Sequence, residues 1–275
     1  MANDSPMSTP DLSPIDDIQR QAAVMGTVRA LSEDIGPRQA GSEGERRAAE
    51  WLAEQFRRLG WEVEVDVFPA AGTFMAVYGP LTALAALSYV GAWWWPWVGV
   101  AGGLFGGLML TVENLPLQAF SRLVKFRRSR NVLARRAPAG DAEQDIVVMA
   151  HIDSAIATDV RNMKLVRMLF IAIIVSCLGV AGLSLAAAVG VARSVLIIGA
   201  PCAVHLLICT GIMVHQGLCS PVVAGAGDNA SGVAAMLQTA RELPALQRST
   251  VWLVGTGSEE CGLMGALRLL DRQRF

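Results

Sequence analysis

"DIVVMAHIDSAIATDVRNMKLVRMLFIAIIVSCLG", residues 145–179, joins two kinds of sequence that rarely meet so closely. Its start reads as a buried strand that ends on His151 and Asp153, a His-x-Asp pair of the sort that recurs in metal sites. Its end opens a run of 25 uncharged residues, Met168 to Ala192, long enough for a helix to cross a bilayer. Between them lies a basic collar, "RNMKLVR". The fold must place a polar site and a membrane helix within seventeen residues of each other.

The composition agrees with that mixture. Of 275 residues 53% are hydrophobic and 17% charged, and the mean hydropathy is +0.42. Globular domains carry about 25% charged residues. The net charge of −1 gives no bulk attraction to nucleic acid, and no basic patch is interleaved with aromatics, so no nucleic-acid partner is expected. The five cysteines (Cys177, Cys202, Cys209, Cys219 and Cys261) include no C-x-x-C pair and read as free thiols. The polar, acidic start lacks the basic n-region and apolar core of a signal peptide, and residues 1–19 read as a disordered lead-in.

Residues 20–73 and 113–167 read as α/β sequence, as do residues 215–275. In "GSEGERRAAEWLAEQFRRLG", Ser42 and Glu45 form a capping-box signature, Ala49, Leu52, Phe56 and Leu59 share a helical face, and Gly60 supplies a stop. "WEVEVDVF" then alternates, with Trp61, Val63, Val65 and Val67 expected on the buried face of a strand. "SRNVLARRAP", "DIVVMAH" and "STVWLVGTG" read as further strands, and "DNASGVAAMLQTAREL" and "GLMGALRLL" as helices.

Two long apolar stretches interrupt this domain. Residues 74–112 hold two uncharged runs around Pro96, with a Trp cluster at the turn, where an interfacial aromatic belt would lie. Residues 168–214 hold two more, separated by Arg193 and broken only by His205. Each stretch predicts a transmembrane helical hairpin, and the lipid bilayer is an expected partner. Arg122, Lys125, Arg127, Arg128, Arg130, Arg161, Lys164 and Arg167 flank the hairpins on the domain side, against Arg193 alone on the turn side. Eight against one predicts an integral membrane protein with a cytoplasmic catalytic domain. Anionic headgroups are the natural partners of this basic collar.

Three fragments carry chemistry: "AHIDS" at 150–154, "GAGDNASG" at 225–232 and "TGSEECGLMGA" at 256–266. Each falls where a strand ends or a helix begins, the edge where sites gather in open α/β sheets. His151 offers an imidazole to a borderline metal, and Asp153 can fix its tautomer. Asp228 precedes a helix start. Glu259 and Glu260 repel each other at a strand end, which a metal would relieve for one, leaving the other as a general base.

The order of these fragments resembles the co-catalytic di-zinc aminopeptidases of clan MH, the group of bacterial leucyl aminopeptidases, glutaminyl cyclases and transferrin-receptor-like carboxypeptidases. "GPRQAGSEGERRAAEWLAEQFRRLGWEVEVDVF", "SRNVLAR", "VVMAHIDS", "GDNASGVAAMLQTAREL" and "EECGLMGA" carry the resemblance, over roughly residues 31–69, 130–154 and 224–275. It implies a mixed-sheet, zinc-exopeptidase-like α/β sandwich, interrupted here by the two hairpins. By motif, His151 would bind one zinc, with Asp153 orienting it. Asp228 would bridge two zinc ions, Glu260 would bind the other, and Glu259 would be the general base. The implied activity is removal of N-terminal residues from peptide substrates.

The family's ligand order is His, Asp, Glu, Asp, His. Only Asp271 is acidic after Glu260, on the polar face of its helix, and no histidine follows. His205 and His215 lie in or beside an apolar run and read as bundle or interface residues. The chain is therefore expected to be an incomplete form that, made alone, binds zinc weakly and shows little aminopeptidase activity. Two other readings stay open: a non-catalytic membrane receptor or scaffold of the same fold, and a glutaminyl-cyclase-like acyl transferase. A small transporter is disfavoured, because the apolar runs hold almost no ionisable residues.

Overall fold

A computed structural model describes residues 14–115, 119–158 and 162–272. Twelve principal elements follow one another: α1 (Pro14–Arg29), α2 (Glu43–Arg58), β1 (Glu62–Ala70), α3 (Met75–Ala92), α4 (Pro96–Glu113), β2 (Arg127–Arg136), β3 (Gln144–His151), α5 (Met163–Ala188), α6 (Leu196–Cys219), α7 (Ser231–Glu242), β4 (Ser249–Thr256) and α8 (Met264–Asp271). Residues 14–19, expected in a disordered lead-in, form the first turns of α1, and residues 1–13 lie outside the described residues.

The strands form one mixed sheet in the order β1-β2-β4-β3. β1 and β2 are antiparallel, as are β2 and β4, whereas β3 runs parallel to β4. Helices α2 and α7 cover one face, where Leu52, Phe56, Val233 and Leu237 meet Val132, Ala134, Val251 and Leu253. On the other face Leu269 of α8 packs on Leu133 and Val254. β4 is therefore apolar on both faces, as a covered central strand must be, whereas β3, expected to be buried, is the edge strand and leaves Ile146 and Met149 exposed. The α/β sandwich expected from the sequence is present as this mixed sheet with helices on both faces.

β1 departs from its expected alternation. Trp61, Val63 and Val65 face the α2 side, but Val67 is exposed, and Asp66, Phe68 and Ala70 are the buried residues beyond. The far half of the strand is covered on its other face, by Cys261 and Met264 in a second apolar cluster with Phe68 and Ala70. Asp66 is buried there against Arg268 (3.3 Å) and Arg272 (2.9 Å), which tie α8 to the strand.

Four helices, α3 to α6, pack into a separate bundle around Leu81, Tyr89, Leu110, Cys177, Leu196 and Leu206. Gly99, Gly103 and Gly107 recur every fourth residue on α4, and a Cβ on Gly103 would lie 2.7 Å from the Cys177 carbonyl oxygen. This small-residue stripe lets the α4 and α5 backbones touch. The outer surface stays apolar, with Leu87, Leu104, Leu108, Ile171, Val175 and Ile208 exposed. All four helices are long and apolar enough to cross a membrane. α5 begins at Met163 and α6 runs to Cys219, so Lys164 and Arg167 sit in the first turns of α5. Arg161 lies outside the described residues.

The bundle joins the sheet at one edge. The segments flanking the second hairpin form a short stem: Ile156 pairs with Val222, Ala157 N–H donates to Pro221 O, and Val223 N–H donates to Ala155 O.

Candidate metal centre

β3 delivers His151 at its carboxyl end, in register with Thr256 at the end of β4. Two residues on, Asp153 is fully buried, and its carboxylate oxygens accept the backbone N–H groups of Glu259 and Glu260 at 3.1 Å each. Asp153 thus fastens the first fragment to the third. The same carboxylate also faces the His151 ring. Nδ1 of His151 lies 3.1 Å from the Asp153 backbone oxygen, and the carboxylate stands further off at 3.6 Å. The tautomer is set by a carbonyl, which leaves Nε2 pointing into the site.

There Nε2 meets Asp228 Oδ1 at 2.9 Å and Glu259 Oε2 at 3.8 Å. Burial draws the imidazole pKa down, but the Asp153, Glu259 and Asp228 carboxylates outweigh it and raise it to about 9. A cation beside Nε2 would meet the same carboxylates.

Asp228 is presented by a sharp turn before α7. Gly225 has φ +61°, and a Cβ there would lie 2.7 Å from both the Asp228 carbonyl oxygen and Ser154 Cβ, so only glycine fits. Glu259 and Glu260 follow β4 in a turn opened by Ser258 at φ 54°. Burial raises both carboxyl pKa values. The Glu259 rise is opposed by His151 and helped by Asp153 and Asp228, and Glu260, helped by Asp153 and Glu259, reaches about 7.

A donor atom each from His151, Asp228 and Glu260 lies within 4.8 Å of the other two. Glu260 Oε1 is buried with no hydrogen-bond partner among the described residues, a costly state for a carboxylate oxygen. One imidazole nitrogen and two carboxylates, one of them with an orphaned oxygen, fit a divalent cation of zinc character. Glu259 stands at the rim, a third exposed.

The structure thus brings His151, Asp153, Asp228, Glu259 and Glu260 to one edge. The remaining polar candidates lie elsewhere. His205 is in the bundle, with Nδ1 2.8 Å from Ser176 Oγ and Nε2 3.4 Å from Cys209 Sγ. His215 is exposed on α6, and Asp271 faces Arg122 at 3.5 Å.

Two supporting residues escaped sequence reading. Arg38 is 1% exposed, and its guanidinium donates to the carbonyls of Leu31, Gly36, Ile152, Ala224 and Gly225. Burial lowers its pKa, and Asp153 opposes that. Its only sequence signal is a lone cation between Pro37 and Gln39. Glu45 was legible as half of a capping box, and Ser42 Oγ does accept the Glu45 N–H at 3.2 Å. Its buried carboxylate instead accepts from Gly41 N, Ser129 Oγ and Ser258 N, next to Glu259.

The chain is similar to solved structures of low sequence identity. A zinc aminopeptidase from Bacillus subtilis shares 15% identity at TM-score 0.45, over 92% of this chain and 64% of that one. An aminopeptidase from Aneurinibacillus sp. strain AM-1 shares 17% at TM-score 0.44, over 91% and 66%. A glutaminyl cyclase from Fimbriiglobus ruber shares 16% at TM-score 0.44, over 95% and 50%. The chain spans less than two thirds of the length of each of these three proteins. No curated protein matches it at a significant level. A family model does match residues 209–274, the stretch that holds Asp228, Glu259 and Glu260, and that family is Peptidase family M28.

Proposed function

We propose that this chain is a membrane-anchored, zinc-dependent metallo-exopeptidase, an aminopeptidase that hydrolyses peptides from the N-terminus. The observation that carries the reading is the convergence of His151, Asp228 and Glu260 within 4.8 Å, in a chain whose residues 209–274 match a peptidase family. His151 Nε2, the Asp228 carboxylate and Glu260 would hold zinc, which when bound polarises the scissile carbonyl and lowers the pKa of water. Glu259 is the general base. Its carboxylate takes the proton of the attacking water and passes it to the departing amine. Asp153 holds the Glu259 and Glu260 backbone in place through their amides. Asp228 would also help hold a second zinc ion if one binds.

The four apolar helices supply the anchor. The basic residues Arg122, Lys125, Arg127, Arg128 and Arg130 at the sheet end, against Arg193 at the turn end, support a cytoplasmic domain.

One observation favours a second reading. The three donors cluster tightly enough for one ion. A single zinc would equally serve glutaminyl-cyclase-like acyl transfer, in which a peptide's own N-terminal amine attacks the carbonyl of its glutamine side-chain amide and ammonia departs.

The test is the full chain in lipid vesicles, assayed with aminoacyl reporters and with a glutaminyl peptide, with zinc and after chelation. Slow release of the N-terminal residue, dependent on added zinc and abolished by chelation, is expected, because three donors among the described residues hold zinc weakly. Cyclisation without release would favour the second reading. Bound zinc with neither activity would leave a non-catalytic scaffold.

A further inference from the structure

The metal centre and the bundle share one edge of the sheet. β1 ends at Ala70 and leads to α3, and β2 begins at the paired Arg127 after α4. β3 ends at His151 and leads to α5, and α6 returns to Asp228 nine residues after Cys219. Contacts repeat the message. Cys261, next to Glu260, packs in one cluster with Val77 of α3 and Val124. The stem at Ile156 and Val222 lies between the two ligand loops and the second hairpin.

The surface of this end is amphipathic. Leu123 and Phe126 are each 78% exposed and alternate with Arg122, Lys125 and Arg127. Such a collar sits at a headgroup boundary, apolar side chains inward and cations on phosphates. The opposite end of the bundle holds exposed Trp94, Trp95 and Trp97, and Arg193 there donates to the Trp93 carbonyl. The two interfacial bands place the bilayer directly against the site edge.

Register gives the distance. His151 is level with Thr256, and the Val132–Gly255 pairing puts Asn131 at that level on β2. β2 extends four residues further toward the bundle, to Arg127. At about 3.3 Å per residue the His151 level stands about 13 Å from Arg127, where the basic collar meets the sheet.

Resting on the peptidase reading above, we infer that the site faces the bilayer surface and that its substrates are peptides whose free N-terminus is held beside that surface by a membrane anchor. An anchored peptide needs about four extended residues to reach His151. Were the site at the opposite edge of the sheet, β3 would add eight residues, and the tether would need about twelve.

The experiment places the full chain in phosphatidylcholine–phosphatidylglycerol vesicles with zinc. Peptides with one N-terminal sequence carry a C-terminal lipid anchor and spacers of about two to sixteen residues. An unanchored peptide is the control. Cleavage is expected to rise steeply near a spacer of four to six residues and to exceed that of the control at least tenfold. Independently of activity, a dye on Ala226→Cys, in a Cys219→Ser background, should transfer energy efficiently to headgroup acceptors. A threshold at ten or more residues, equal cleavage of anchored and free peptides, or a dye far from the headgroups overturns the inference. If the dye lies close but no peptide is cleaved, the peptidase reading fails and the location stands.

Discussion

The guanidinium of Arg38 donates from Nε to the carbonyl of Ile152 at 2.9 Å, and Ile152 is the residue between His151 and Asp153. The same group reaches Ala224 and Gly225, just before Asp228, at 2.8 and 3.0 Å. One buried cation therefore sets the spacing of the two loops that face each other across the site. Its backbone joins in, since Ser154 Oγ accepts the Arg38 N–H and donates to Val223 O.

Replacing Arg38 should loosen the site before it destroys the fold. Arg38→Met removes the side-chain donor from the Gly36, Ile152 and Ala224 carbonyls, at about 1–3 kcal/mol for each that is buried, whereas the Leu31 and Gly225 carbonyls keep a backbone donor. Zinc affinity should fall about 10–100-fold, as for other residues that orient ligands without touching the ion. Arg38→Lys keeps the charge but cannot span Ile152 and Gly225, so it should recover only part. Ser154→Ala should weaken zinc in the same direction with a smaller loss of stability. Chelator-competition titration, read beside circular dichroism, decides the matter: folded variants with unchanged zinc affinity would remove Arg38 from this role.

Glu259→Gln separates proton transfer from binding. The side chain lies outside the trio of His151, Asp228 and Glu260, so zinc affinity should stay within about threefold. Turnover should fall about 10²–10⁴-fold, the usual worth of a positioned general base. The informative comparison is kcat against KM and zinc content. A loss confined to KM would recast Glu259 as a substrate contact.

Much of this was legible in the sequence because its causes are local or periodic. The helical stripe Ala49, Leu52, Phe56 and the Ser42 cap depend on neighbours within one turn. The hairpins depend only on length and apolarity. The three ligand fragments were legible because each closes a strand or opens a helix. What failed depends on contacts made far along the chain. The phase of β1 inverts at Asp66 because Arg268 and Arg272, about 200 residues later, cover that face. Asp153 also reaches the Glu259 and Glu260 amides because β3 and β4 are neighbours, which spacing alone does not reveal. Arg38 and Glu45 act across comparable separations.

Glu45 gives the fold a pH dependence of unusual sign. Burial raises its carboxyl to about 8, against the hydrogen bonds from Ser129, Gly41 and Ser258 that pull it down. The folded chain then holds a proton that the unfolded chain releases near 4.5. Stability from this group is complete below about pH 4.5 and is lost as pH rises toward 8, at up to about 1.4 kcal/mol per unit. Thermal melts of the chelated protein at pH 5–8 should show a falling Tm. Glu45→Gln should flatten the slope and lower the acid-side Tm, because its amide N–H₂ would face the Gly41 N–H. An unchanged slope would mean that Glu45 is ionised in the fold.

Glu260 should respond to substitution with opposite signs in the two metal states. Without a cation, burial and the neighbouring Asp153 and Glu259 hold its carboxyl at about 7, so its ionisation above that pH strains the fold. By the same linkage, the stability it contributes is present below about pH 4.5 and lost as pH rises through 7. At pH 8, Glu260→Gln should therefore raise the melting temperature of the chelated protein, by about 1–2 kcal/mol of stability. With zinc the order should reverse. Wild type at a hundredfold excess over Kd gains about 2.7 kcal/mol, whereas the variant, having lost one of three donors, gains far less at the same zinc concentration. Differential scanning fluorimetry of both proteins with and without zinc gives the four values needed. If the variant is destabilised with and without zinc alike, Glu260 is a structural carboxylate, and the cluster at His151 and Asp228 must find its third donor elsewhere.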